Sequence, residues 1–261
     1  MDGVCLLPIL ACRWVIQTAD VFGMETYKSI LHEWGISERY LSDVVNDNPS
    51  VKGMIVGYIA ERKLRDLLGE DPRVIGLRKD DDHDRTKKGD VTFTYRDHEF
   101  KVESKALQTT KMYIHDAETG EWVKNVYQRQ GKKNVGNPHY HTVRGRDIAN
   151  SQYRGEVQCD ASDRRVVALP NGMRVNTTSL VVGEFDLLAA GLFAFRNSWD
   201  FAFCLNRDLP RTQSDKYPEE AHQYLLKTLV PVSWPIAPPF VSDPFTLLDK
   251  LVSERSKKRK F

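Results

Sequence analysis

Strict alternation of apolar and polar positions is concentrated in one stretch of the chain, residues 89–107 (GDVTFTYRDHEFKVESKAL). Val91, Phe93 and Tyr95 alternate with Asp90, Thr92 and Thr94. Past Arg96-Asp97-His98, the residues Phe100, Val102 and Ser104 alternate with Lys101, Glu103 and Lys105. A period of two over runs this short predicts strands with one face buried, so the stretch reads as a hairpin turning at Arg96-Asp97-His98. With the turn near Asp97, Asp90 falls across from Glu103 or Ser104. Glu103 and Lys105 are two apart and point the same way.

Helical spacing dominates upstream. Tyr27, Ile30, Leu31 and Trp34 share one face, Gly35 stops that helix, and Ser37 opens another ending near Val45. Ser50 is expected to cap a longer helix through Leu68, with Ile55, Ile59, Leu64, Leu67 and Leu68 at helical spacing and Gly69 as its stop. A first strand is expected at 72–77. The run 78–88 (RKDDDHDRTKK) has no apolar residue to fix its carboxylates and reads as an exposed acidic connector, not a metal cluster. Downstream, Pro170-Asn171-Gly172 lies between alternating runs at 165–169 and 173–177, which predicts a second hairpin. The runs 184–193 and 199–205 are apolar enough to be central strands covered on both faces, and Asp186 among them reads as structural. Residues 219–229 suggest an amphipathic helix, the prolines make 231–244 extended, and 245–252 is a last short helix. The fold class expected is α/β (α+β), a central mixed β-sheet flanked by helices. The organisation expected is an arm at 1–23, a single domain at 24–252 and a basic tail at 253–261.

Composition narrows the picture. A chain of 261 residues with 41% hydrophobic and 28% charged residues can bury a sizeable core. Its net charge of +2 announces no polyanion partner, so any such signal must be local. Cys5, Cys12, Cys159 and Cys204 are scattered without metal spacing and read as reduced thiols of a cytoplasmic protein. Residues 1–16 are apolar but carry no positive start and are too short to span a membrane. They read as a packing arm, or as translated sequence upstream of a start at Met24.

The chemistry lies in the hairpin. Asp90, Glu103 and Lys105 converge at one end of it. Two carboxylates suit a hard divalent cation, which can polarise a phosphate and acidify water. An ammonium beside them can orient or deprotonate that water, or offset charge on the phosphate. The alternative is an ordinary solvated ribbon. Together with Glu61 in the preceding helix, the pattern Asp90…Glu103-Ser104-Lys105 resembles the PD-(D/E)xK nuclease superfamily, the fold of many restriction endonucleases, over about residues 50–110. Gly89 stands where the family often has proline. The resemblance implies a restriction-endonuclease-like core and magnesium-dependent hydrolysis of phosphodiesters. It implies Asp90 and Glu103 as metal ligands with the carbonyl of Ser104, Lys105 on the attacking water, and Glu61 at the metal or orienting Lys105.

Between Trp122 and Arg154 stand seven cations (Lys124, Arg129, Lys132, Lys133, Arg144, Arg146, Arg154) against one acid, Asp147. Asn137, His139, His141 and Gln152 are interleaved. Such an excess is a footprint for phosphate contacts, and Arg with Asn or Gln is the set that reads base edges. The expectation is a Mg²⁺-dependent endonuclease on double-stranded DNA, of the type II site-specific kind and acting as a homodimer. The alternatives are a structure-specific repair or recombination nuclease and a non-catalytic DNA-binding protein.

Overall fold

The computed structural model describes residues 29–79, 89–107, 111–116, 119–124, 142–143, 146–147 and 152–258. The chain divides into two compact units, 1–44 and 45–261. In the first, α1 (Ile30–Glu33) is capped by Ser29, whose hydroxyl accepts from the Leu31 N–H. Gly35 ends that turn at φ +63°, as its position predicts, and most of α2 (Glu38–Asp47) follows.

The second unit is built on a mixed sheet. Helix α3 (Pro49–Gly69) leads into β1 (Val74–Lys79), β2 (Val91–Tyr95) and β3 (His98–Ala106). Short strands follow: β4 (Tyr113–His115), β5 (Trp122–Lys124), β6 (Thr142–Val143) and β7 (Arg146–Asp147). Then come β8 (Tyr153–Gln158), the hairpin of β9 (Asp160–Ala168) and β10 (Arg174–Ser179), β11 (Leu187–Gly191) and β12 (Phe201–Leu205). Helices α4 (Phe193–Arg196) and α5 (Glu219–His222), strand β13 (Leu229–Trp234) and helix α6 (Pro244–Lys258) complete the chain.

The central sheet has the order β1-β2-β3-β11-β12. Its pairs are antiparallel except β3 with β11, which run parallel, Glu103 opposite Leu188 and Lys105 opposite Ala190. On one face Ala60, Leu64 and Leu68 of α3 and Leu247, Leu248 and Leu251 of α6 pack on Phe93, Phe100, Val102, Ala189 and Phe203. On the other face Leu188, Ala190, Ala202 and Cys204 pack against Tyr153, Val157 and Val232 of a second sheet, ordered β13-β8-β4-β5. The architecture is therefore mixed α/β with a central mixed sheet and flanking helices. Among the described residues no helix is long and apolar enough to cross a membrane.

Several expectations change in the folded chain. The hairpin does not leave one face to water: Thr92, on the polar side of the alternation, is fully buried because β2 lies inside a five-stranded sheet. The helix expected at 219–229 stops at His222. Leu225 and Leu226 are both fully buried, in different apolar clusters, and form bridges with Val181 and Arg211. Residues 229–234, expected as helix end and extended linker, form an edge strand. Pro231, with no N–H to give, is tolerated there opposite Glu156 of β8. The last helix does not end at Val252 but runs to Lys258.

That extension is held by a specific contact. Arg255 donates to Asp186 and to the Glu99 carbonyl and lies over the Phe100 ring, 4.4 Å from its centre. Asp186 in turn accepts from the Lys101 N–H at 2.9 Å, and its own N–H donates to the Lys101 carbonyl. Burial raises the Asp186 pKa, with the Lys101 N–H and Arg255 opposing. The Asp186 carboxylate thus pins the entry of β11 to β3, as its structural reading anticipates. Arg255→Ala is expected to destabilise the fold by about 1–3 kcal/mol, the cost of stripping a part-buried charged partner. Chemical denaturation measures it, and an unchanged midpoint would contradict the role given to Arg255.

Candidate metal and phosphate site

The site begins where β2 starts. Gly89 sits at φ +89°, and a Cβ there would come within 3.2 Å of the Lys101 Cβ. Proline, locked near φ −65°, has no access to that conformation, so glycine at this position is a backbone requirement of this chain. The turn delivers Asp90 to the mouth of the hairpin. The Asp90 N–H donates to the Val102 carbonyl at 3.0 Å, although Val102 already faces Val91 in the ladder. The main chain of Asp90 is thus one residue short of the expected Glu103 or Ser104. Its side chain makes up the difference: Oδ2 accepts from the Ser104 N–H at 2.7 Å. Within a strand the N–H and C=O of a residue leave on the same edge. The Ser104 carbonyl is therefore aimed at the edge where Asp90 lies.

Glu103 and Lys105 lie on the opposite face of β3 from Val102. They pair there, Lys105 Nζ to Glu103 Oε1 at 2.7 Å, with Glu103 almost buried and about a quarter of Lys105 exposed. The buried thiol of Cys159 is near enough to act on the Lys105 charge. Burial and the neighbouring Glu103 carboxylate raise the Asp90 pKa to about 7, against the pull of Lys105 and the Ser104 N–H. Burial alone would lower the Lys105 pKa, but Glu103 and Asp90 outweigh it and hold the side chain as an ammonium, well above the ordinary lysine range. Burial pushes the Cys159 thiol up to about 12.

Glu61 reaches the site from α3. Its charge is among those that raise the Asp90 pKa. Its ion-pair partner is not Lys105, the residue it was expected to orient, but Lys79 at the end of β1, with Nζ 3.0 Å from Oε2. Lys79 escapes the sequence reading because the first strand is expected to end at Leu77. Extending it by two residues brings Lys79 opposite Val91, next to Asp90.

Among the described residues no three His, Cys, Asp or Glu side chains form a group that could hold a metal ion. The converging set is smaller: the Asp90 and Glu103 carboxylates, close enough to repel, and the Ser104 carbonyl. Two carboxylates and a carbonyl fit Mg²⁺, which keeps several of its waters and is usually bound through one or two carboxylates. They do not form a closed cage.

Of the residues expected to touch DNA, Arg129, Lys132, Lys133, Asn137, His139, His141 and Arg144 lie outside the described residues. Arg146 is placed only as backbone in β7. Lys124 is exposed at the end of β5 and Gln152 is exposed before β8. Arg154 stacks on Trp122, its guanidinium carbon 4.0 Å from the ring centre, a contact that fixes the side chain on the second sheet.

Burial pushes Cys204 up to about 12 as well. With both thiols raised, the fold holds them protonated. Their contribution to stability is fully present below the ordinary thiol pKa near 9 and is lost as pH climbs towards 12. In a Cys5→Ser/Cys12→Ser background, native protein at pH 8 should react with an aromatic disulfide only at the rate of unfolding, and fast labelling would contradict this burial. No protein-family model, curated protein or solved structure matches this chain.

Proposed function

We propose that this chain is a Mg²⁺-dependent DNA endonuclease with a restriction-endonuclease-like core, of the type II site-specific kind and acting as a dimer on double-stranded DNA. The observation that carries the reading is the Asp90–Ser104 hydrogen bond. It brings a carboxylate, the Ser104 carbonyl edge and the Glu103–Lys105 pair together at one end of one hairpin.

Asp90, Glu103 and the Ser104 carbonyl would hold the cation. When bound, it supplies Lewis-acid polarisation of the phosphate and lowers the pKa of a bound water. The chain's own residues do the rest. Lys105 is an ammonium and donates: it orients the attacking water or offsets charge building on the non-bridging phosphate oxygens. Water oxygen forms a bond to phosphorus as the bond to the leaving sugar oxygen breaks. The proton lost by the water is matched by one taken up at that oxygen, giving a phosphomonoester and an alcohol. Glu103 is almost buried, while about a quarter of Lys105 stays exposed to reach the water and the phosphate. The basic segment 122–154 supplies the charge to hold the duplex backbone.

Supercoiled plasmid should be cleaved with Mg²⁺ and left intact in EDTA. Asp90→Ala should lower the rate by about a hundred- to a thousandfold, the scale expected when electrostatic stabilisation at the reacting phosphate is removed. Discrete fragments are expected of a site-specific enzyme. Cleavage that survives Asp90→Ala, or tight DNA binding without cleavage in any divalent cation, would overturn the proposal.

A further inference from the structure

We propose that Lys79 is a positioning residue: it draws Glu61 away from the Asp90–Glu103 pair, and releases it when a divalent cation binds there. This rests on the metal reading above and concerns residues that the Asp90…Glu103-Ser104-Lys105 pattern does not contain. Lys79 closes β1 and pairs with Val91, the residue after Asp90, so its backbone borders the site. Its ammonium lies 3.0 Å from Glu61 Oε2 and 4.5 Å from the centre of the Tyr58 ring. Tyr58 and Glu61 are three apart on α3 and so share one face of the helix. The ammonium is thus held from two sides by neighbouring groups of a single helix.

The Glu61 contact is one of charge alone. Oε2 is buried yet accepts no hydrogen bond of good geometry, so the 3.0 Å approach to Nζ attracts the carboxylate without fixing its orientation. The distribution of charge around Asp90 gives this a consequence. Lys105 pairs with Glu103 and Lys79 with Glu61. Asp90 has the Ser104 N–H as its hydrogen-bond donor, and its electrostatic neighbours are the Glu103 and Glu61 carboxylates and the Lys105 ammonium. A dication beside Asp90 attracts all three carboxylates, and Glu61 is the one that Lys79 already pairs with. Lys79 and the cation therefore compete for Glu61. The face of Tyr58 keeps the Lys79 ammonium in place, since a cation over an aromatic ring remains stabilised when its counter-ion leaves.

The competition is read by titrating the full chain with Mn²⁺ and following water-proton relaxation, with no DNA present. Asp90→Ala should abolish high-affinity binding. Lys79→Met should tighten it, on the order of tenfold for loss of one nearby positive charge at a partly buried site. In a Glu61→Gln background the same substitution should change affinity less than about twofold. Lys79→Arg, which keeps the charge, should bind Mn²⁺ like the wild type. Weaker or unchanged binding in Lys79→Met overturns the proposal. So does an equal gain with and without Glu61, which would mark a general field effect. Lys79→Gln, made in parallel, guards against a packing artefact of methionine, and a disagreement in sign between the two also counts against it. If Asp90→Ala binds Mn²⁺ as the wild type does, the metal reading itself fails. If Asp90→Ala loses binding while Lys79→Met leaves it unchanged, only the role of Lys79 fails.

Discussion

The hydrogen bond from the Ser104 N–H to Asp90 Oδ2 is the interaction on which the candidate site depends. The ladder between β2 and β3 uses main-chain groups up to Val91 and Val102, and Asp90 adds one further bond to the Val102 carbonyl. Beyond that, β3 continues with its β2-side edge no longer paired to strand. A side-chain carboxylate takes over as acceptor. Its charge then stands within reach of Glu103, across the strand, and of Glu61, from the helix layer. A main-chain amide can hold one carboxylate oxygen and still leave the other to a ligand, so the bond fixes Asp90 without consuming it.

Such a cluster is tolerated because the surrounding layers are rigid. β3 is central, with β2 on one side and β11 on the other. Apolar clusters cover both faces of the sheet. The parallel junction of β3 with β11 is pinned by Asp186, which bonds the Lys101 main chain and is met by Arg255 from the last helix. A carboxylate pair held this close by a loose hairpin would separate. Held by a packed sheet, Glu103 and Asp90 stay near each other and repel, and that is the electrostatic condition under which a cation binds.

Much of this was legible in the sequence, and what was not has identifiable causes. The hairpin, its turn, the convergence of Asp90 with Glu103 and Lys105, and the apolar strands near 187–191 and 201–205 follow from local alternation and run length. The burial of Thr92 is not legible, because alternation reports one strand's two faces and carries no information on how many strands flank it. The segment after His222 has helical spacing, yet it folds as bridges and an edge strand because Leu225 and Leu226 are claimed by different clusters distant in sequence. Lys79 has no local signal at all. It falls inside the charged run 78–88 that reads as an exposed connector, and only antiparallel pairing with Val91 reveals that it lies at the site. The pairing of Glu61 with Lys79, and not with Lys105, is a tertiary fact of the same kind.

The central claim is that Asp90, Glu103 and the Ser104 carbonyl form one divalent-cation site. A crystal of the full chain soaked in Mn²⁺, with data collected at the manganese absorption edge, tests it most directly. An anomalous peak is expected within about 2–2.5 Å of oxygens from both Asp90 and Glu103, the range of divalent cation–oxygen bonds. A fully occupied manganese elsewhere, with those two carboxylates turned apart, would contradict it.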